Sequence, residues 1–335
     1  MRRKGLYLFL SAAAVFVLIE GGLRLVLGLG SPPLLRADST VGYVFQANQD
    51  LVRFTNRVQI NQHHHRSGRL LSRADSTFVR VLFVGDSVTW GGVLTDQSDT
   101  IPSEAERRLA NWCNEPIEAL NASAGSWGIG NARAYIEKYG LFESDLVVLQ
   151  IGTHDLTQPK STSDVVGNHR SYPNENPTLA MEELVTRYLW PRLSSSLPRF
   201  GSSANAQQRS RSGPKPEEVF VRNLVHLRRT VASIRAEQTP VVILHTPNRS
   251  ETTKGSGTSS AASYRNQFLR VADSMNVPVV NLANGWPRST SPMRLYRDHV
   301  HFNERGNAVI ADTLSGFLRA KCPSLCANIQ NQEGS

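Results

Sequence analysis

The chain has 335 residues, 40% of them hydrophobic and 19% charged, and a formal net charge of +9. That length buries a full core, and that balance excludes a disordered or fibrous chain. The positive charge favours anionic partners such as lipid headgroups or acidic glycans. No zinc spacing, basic heptad helix or aromatic–basic strand pattern points to nucleic acid.

Arg2, Arg3 and Lys4 precede an uncharged run from Gly5 to Ile19, and apolar residues continue past Glu20 and Arg24 to Leu29. The shorter run makes about 22 Å of helix, less than a hydrocarbon core of about 30 Å, whereas the longer one spans it. Glu20 and Arg24 lie four apart and can pair on one helix face, and Arg24 can reach headgroups. The positive start predicts export of everything after residue 30, to the periplasmic or extracellular side. Residues 1–30 therefore read as an uncleaved membrane anchor. Gly28-Leu29-Gly30 would suit a cleaved signal peptide instead, but Glu20 and Arg24 sit badly just beyond its apolar region. Three cysteines fit an exported chain. One disulfide is expected, joining either Cys113 to the C-terminal segment or Cys322 to Cys326.

Residues 31–78 read as a linker, "SPPLLRADSTVG", followed by a short β extension of one or two strands within 43–61. The His63-His64-His65 run has no partner cluster and reads as a solvated or interfacial run, not a zinc site. From residue 79 strands and helices alternate. The strands are "VRVLFV", "IEALNAS", "DLVVLQIG", "PVVILHT" and "VPVVNL", and helices fall near 100–112, 128–140, 217–236, 260–275 and 304–320. Strands apolar on both faces predict a parallel sheet covered by helices on both sides, over 79–322, with a tail at 323–335. An insertion at 157–216 is too long for a plain connection. Its first part reads as a lid and its second as a mobile stretch. Arg187, Arg192, Arg199, Arg209, Arg211 and Lys215 occur there with no acidic residue among them. The stretch is either a solvated loop or a basic flap for an anionic polymer or a membrane surface.

Ligands of such sheets bind at the carboxyl ends of the strands. Those ends carry Asp86-Ser87, then Ser123-Ala124-Gly125-Ser126, then Gly152-Thr153-His154-Asp155, and later Asp298 and His301. A serine nucleophile needs a base, a group that orients the base, and donors for the oxyanion. Asp298 and His301 are three apart, so one turn can bring the carboxylate to the ring nitrogen facing away from the serine. Asp86 reads as a local turn or cap residue, Trp127 as a wall of the site or a packing residue, and His245 as a possible pocket residue.

These blocks resemble the SGNH (GDSL-type) hydrolases over about 79–320. "VGDSVTWG" is similar to the family's first block, with the nucleophile at Ser87, and "DHVHFN" to its last, with His301 as base and Asp298 as partner. "NASAGSWG" stands at the glycine block and "IGTHDL" at the G-x-N-D block. The resemblance implies a flavodoxin-like three-layer α/β/α sandwich with a parallel sheet, and ester hydrolysis without metal or cofactor. Two positions depart from the pattern. Ser126 stands where the family has glycine, with Gly125 one residue earlier, so the amide of either is expected to donate to the oxyanion. His154 stands at the family's asparagine and is expected to donate through its ring N–H. The resulting expectation is a membrane-anchored serine esterase acting on O-acyl, above all acetyl, esters of surface glycan, or on lipid esters. Acetyl transfer to a polysaccharide is the rival reaction, and non-catalytic glycan binding the rival class.

Overall fold

The computed structural model describes residues 2–74, 78–196, 214–252, 260–285 and 291–326. The charged start and apolar run form helix α1 (Arg2–Leu27), whose span Arg3–Leu27 is long and apolar enough to cross a membrane and is not buried against the rest of the chain. Gly28 ends it. The Gly28 amide donates to Arg24 O, the single bond of a left-handed helix stop, and the Leu29 amide reaches back to Leu23 O. Gly28 has φ +65°, and a Cβ there would lie 1.9 Å from Val52 O, so only glycine fits.

The junction after α1 is built into the domain. Leu29 and Gly30 are buried, and the Gly30 amide donates to Glu183 at 2.7 Å. Arg53, fully buried, donates to Gly28 O at 2.7 Å and pairs with Glu183 through both guanidinium nitrogens, at 2.5 and 3.0 Å. Glu20 and Arg24 do pair, at 2.7 Å, but they also hold the protein: Glu20 accepts from the amides of Ala180 and Met181, and Arg24 donates to Thr178 O.

Residues 31–42 are not the linker expected from sequence. Strand β1 (Leu35–Asp38) pairs antiparallel with β2 (Gly42–Phe45), and β3 (Gln49–Arg53) pairs with β4 (Asn56–Ile60). The stretch expected to hold one or two strands holds three, β2 to β4, and β1 lies in the expected linker. Asp38 makes the first turn by accepting from the amides of Thr40 and Val41, both at 2.9 Å. The histidine run is also more buried than a solvated reading allows. His65 is inaccessible, its Nε2 lies 2.6 Å from the Tyr135 hydroxyl, and burial pushes its pKa down to about 3, so it packs as a neutral ring.

Five parallel strands follow: β5 (Val79–Gly85), β6 (Ile117–Ser123), β7 (Leu146–Gly152), β8 (Val241–Thr246) and β9 (Val279–Asn281), in the spatial order β6-β5-β7-β8-β9. The helices are α2 (Ser87–Trp90), α3 (Ile101–Cys113), α4 (Ile129–Tyr139), α5 (Pro216–Ala236), α6 (Ser260–Ser274) and α7 (Glu304–Lys321). Alternate strand residues serve opposite faces. Leu82 and Val84 join the core formed with α4, α5, α6 and the hairpins, while Val81 and Phe83 join the core formed with α3 and α7. This is the expected three-layer α/β/α sandwich with a flavodoxin-like strand order.

The described part of the insertion is ordered. It ends in an unbroken helical run of Ala180–Glu183, a wider π turn at Leu184–Leu189, and Trp190–Ser196. Arg199, Arg209 and Arg211, and with them the mobile reading, fall outside the described residues. Cys113 bonds to Cys326 across a sequence separation of 213, and Cys322 is a free thiol, which resolves the pairing left open by the sequence.

Two outcomes follow from this architecture. A chain beginning at Gly28 keeps every junction contact except those of α1 and should fold, whereas one beginning at Ala37 loses half of β1 and the Gly30–Glu183 bond and should unfold at lower denaturant. Circular dichroism during urea titration compares them. Closing so long a loop is worth about 5 kcal/mol in the chain-entropy account, so Cys113→Ala should lower the unfolding free energy by several kcal/mol, while Cys322→Ala should change it little.

Candidate active site

β5 ends where its sequence changes character. A Cβ at Gly85 would lie 2.2 Å from Thr89 Oγ1 and 2.7 Å from the side-chain amide of Gln150, so the strand finishes on glycine where α2 folds back. Asp86 then caps α2, its Oδ1 accepting from the Val88 amide at 2.9 Å. Ser87 is the first residue of α2, at the crevice where the chain leaves β5 for β6 on one side and β7 lies on the other.

Ser87 Oγ lies 2.8 Å from His301 Nε2, and His301 Nδ1 lies 2.7 Å from Asp298 Oδ2. The other oxygen of Asp298 accepts from the amides of Val300 and His301, at 2.9 and 2.8 Å. Burial works against the Asp298 charge, but these amides and the His301 ring outweigh it and hold its pKa at about 2. The carboxylate is therefore ionised at neutral pH and fixes Nδ1 as the protonated nitrogen, leaving Nε2 to accept. The chain Ser87–His301–Asp298 opens onto a cleft of about 330 Å³. Pro33, Leu35, Phe45, Trp90 and Tyr172 supply apolar wall, and Arg187 supplies charge.

Gly125 also lines this cleft, and a Cβ there would meet nothing within 4 Å. Its carbonyl is turned away onto the Tyr43 hydroxyl at 2.6 Å. Ser126, with φ +60°, is not among the cleft residues, and its carbonyl accepts from Gln158 and Ser161. Among the described residues the amides of Ser87, Gly125 and Ser126 donate to no backbone acceptor.

His154 lies elsewhere than the sequence led us to expect. Its Nε2 is 2.7 Å from Asp86 Oδ2, and the ring lies against the backbone of Gly152, where a Cβ would come within 2.4 Å of it. His154 does not line the cleft with Ser87, and its Nε2 is engaged by a buried carboxylate. The cause is Asp86, which does more than cap. It is buried, its Oδ2 accepts from His154 and lies 3.2 Å from Ser87 Oγ, a longer contact than the 2.8 Å to His301, and Gln150, with its amide nitrogen turned inward, donates to Oδ1 at 2.8 Å.

Asp155 completes this group from beneath. Its Oδ2 accepts from the Gly152 amide at 2.7 Å, and its Oδ1, without a hydrogen bond, lies 3.5 Å from His154 Nε2. Burial disfavours charge on His154, but Asp155 and Asp86 overcome it and raise the imidazole pKa to about 10. Burial and the like charge of Asp86 raise Asp155 to about 7, while Asp86 itself stays below the ordinary carboxylate value because His154 and the Val88 amide outweigh its burial. Among the described residues these three are the one group with metal-ligand proximity. The 2.7 Å contact between two of the donor atoms marks a proton-bridged pair, not a gap for an ion.

Two other sequence candidates are interior. Trp127 is buried, with its Nε1 donating to Tyr43 O at 3.0 Å, and His245 is buried with Nδ1 2.9 Å from Ile151 O. The sequence reading did not find Gln150 or the second role of Asp86, and it placed Arg187 in a basic stretch without tying it to this cleft. An interior Gln in the apolar strand "LVVLQIG" was the one available signal.

No curated protein matches this chain. Among solved structures, an acetyl xylan esterase, AlAXEase, is 18% identical, with 72% of this chain and 100% of that one covered at a TM-score of 0.44. The lipase/acylhydrolase from Enterococcus faecalis is 15% identical, with 72% and 96% covered at 0.43. An acetylxylan esterase from Geobacillus stearothermophilus is 15% identical, with 72% and 93% covered at 0.43. The sequence profile of the GDSL-like Lipase/Acylhydrolase family matches residues 83–309, a span that holds the strand-end serine and the histidine and aspartate that converge on it. The chain belongs to that family.

Proposed function

We propose that the protein is a membrane-anchored serine ester hydrolase whose reaction is run by Ser87, His301 and Asp298. The observation that carries this reading is the unbroken hydrogen-bond chain from Asp298 through His301 to Ser87 Oγ at the floor of an open cleft. Ser87 Oγ attacks the acyl carbonyl as His301 Nε2 takes its proton. The oxygen of the tetrahedral intermediate receives the Ser87 and Gly125 amides, which preorganised donors of this kind stabilise strongly. His301 returns the proton to the leaving alcohol, and water repeats the sequence on the acyl-serine.

The roles of the remaining candidates divide. The cleft favours Gly125 over Ser126 as the second amide donor. His154 is a positioning residue: as an imidazolium it balances the Asp86 charge beside Ser87 and fixes the strand-end turn. The volume of the cleft, near the lower end for ligand sites, suits a short acyl group with part of its alcohol. An acetylated surface glycan or a lipid ester fits that description, and the apolar walls beside α1 favour an amphiphilic alcohol. The buried seating of Leu29 and Gly30 supports an anchor that stays attached, with the hydrolase outside the cytoplasm.

Ser87→Ala should reduce hydrolysis of p-nitrophenyl acetate by about 10³-fold or more. A folded variant that keeps a tenth of the wild-type rate would overturn the assignment. Running a series of chain lengths with and without a glycan acceptor separates hydrolysis from transfer, since transfer yields acetylated acceptor and leaves less free acid.

His154 has a separate signature in stability. Its pKa is about 10 folded against 6.5 for the free side chain, so its contribution is complete below pH 6.5 and disappears as pH rises through 10. Asp155, about 7 against 3.8, acts in the same direction at lower pH. Wild-type denaturation midpoints should therefore fall between pH 7 and 10, and His154→Asn should flatten that slope. An equal slope in the variant would show that the imidazole carries no such charge.

A further inference from the structure

The helical run at 180–196 turns its apolar side outward. Ala180 and Glu183 are buried and Arg187 and Tyr188 half-buried, whereas Val185, Leu189, Trp190 and Leu193 are exposed. Surface helices of domains that sit in water do the reverse, and neighbouring exposed apolar side chains mark a contact surface. The question is what covers this one.

The position of the helix answers it. Its first turn is tied to α1: Glu20 accepts from the amides of Ala180 and Met181, and Arg24 donates to Thr178 O at 2.8 Å. A second tie runs from Gly28 and Gly30 through Arg53 to Glu183. The first turn of 180–196 is thus held beside the last two turns of α1, where Leu25 and Val26 are exposed as well. An aromatic residue and an arginine, Trp190 and Arg192, stand among the aliphatic side chains, the composition of helices that lie in a lipid interface. The same helix presents Arg187 to the active-site cleft, and Pro33 and Leu35, just beyond α1, line that cleft as well.

We propose that the 180–196 helix lies on the bilayer surface beside the exit of α1, and that the cleft takes its ester from that surface. The substrate class is then an amphiphilic ester held in the membrane, with its polar group within reach of Arg187. This rests on the reading of α1 as an anchor and of the cleft as an ester hydrolase. It adds a second, glancing membrane contact that sets the orientation of the domain, which a single anchor leaves free.

The test uses the full chain in phosphatidylcholine vesicles containing phosphatidylglycerol. In a Cys322→Ser background the disulfide stays intact. Single cysteines at Leu189, Leu193 and, as a control on an exposed position of α7, Asp312 are labelled with an environment-sensitive fluorophore. Lipids carrying a nitroxide near the headgroup should quench the 189 and 193 labels by half or more and the 312 label by little. Separately, the double variant Leu189→Glu, Leu193→Glu should hydrolyse a long-chain ester embedded in the vesicles at least tenfold more slowly. Its rate on water-soluble p-nitrophenyl acetate should stay within twofold of wild type. Unquenched labels at 189 and 193 would mean that another part of the chain, or a second copy, covers the face, and would overturn the proposal. So would an undiminished rate on the vesicle ester in the double variant. If wild type failed to hydrolyse either ester, the hydrolase reading would fall, while the quenching would still decide where the helix lies.

Discussion

The strand order of the sheet is the constraint on which the rest depends. With β5 flanked by β6 and β7, the chain leaves β5 for one side and later returns on the other, so a crevice must open at the carboxyl end of β5. Gly85 lets the chain turn there, Asp86 caps the turn, and Ser87 begins a short helix at the cleft, with its hydroxyl on His301. The imidazole that faces Ser87 comes from the other end of the sequence. Asp298 and His301 form a tight turn whose own amides hold the carboxylate, so the imidazole arrives already oriented.

Below Ser87 the protein keeps a second charged group, and its character is unusual for an interior. Two carboxylates and one imidazole share a site with little access to water. An isolated buried charge would be costly, and removing one partner from a buried pair commonly costs about 3–5 kcal/mol. Here His154 supplies the compensating charge. The arrangement ties the end of β5, through Asp86, to the end of β7, through His154 and Asp155, directly beneath Ser87.

Much of the sheet was legible because its strands are apolar on both faces and its helices carry clear boundaries. The catalytic candidates were legible because they sit at strand ends, where topology alone makes residues suspect. What escaped has a common cause. The side-chain direction of His154 depends on Asp86, 68 residues away, and the fate of Gly28 to Gly30 depends on an ion pair between residues 130 apart. Gly125 lines the cleft and Ser126 does not, a difference set by contacts remote in sequence, the Tyr43 hydroxyl on one carbonyl and Gln158 and Ser161 on the other. The hairpins at 35–60 were undercounted because strands of four or five residues give too few alternations to register. Glu20 and Arg24, charges that looked out of place in an apolar helix, proved to be its fastening to the domain.

The central claim is that Ser87 is a nucleophile activated by His301. Reaction with a fluorophosphonate, followed by mass spectrometry of the digested protein, tests it most directly. The account predicts one adduct per chain, on the peptide containing Ser87, formed far more slowly when His301 is replaced by alanine. An adduct on a different residue, or esterase activity that survives full exposure to the reagent, would contradict it.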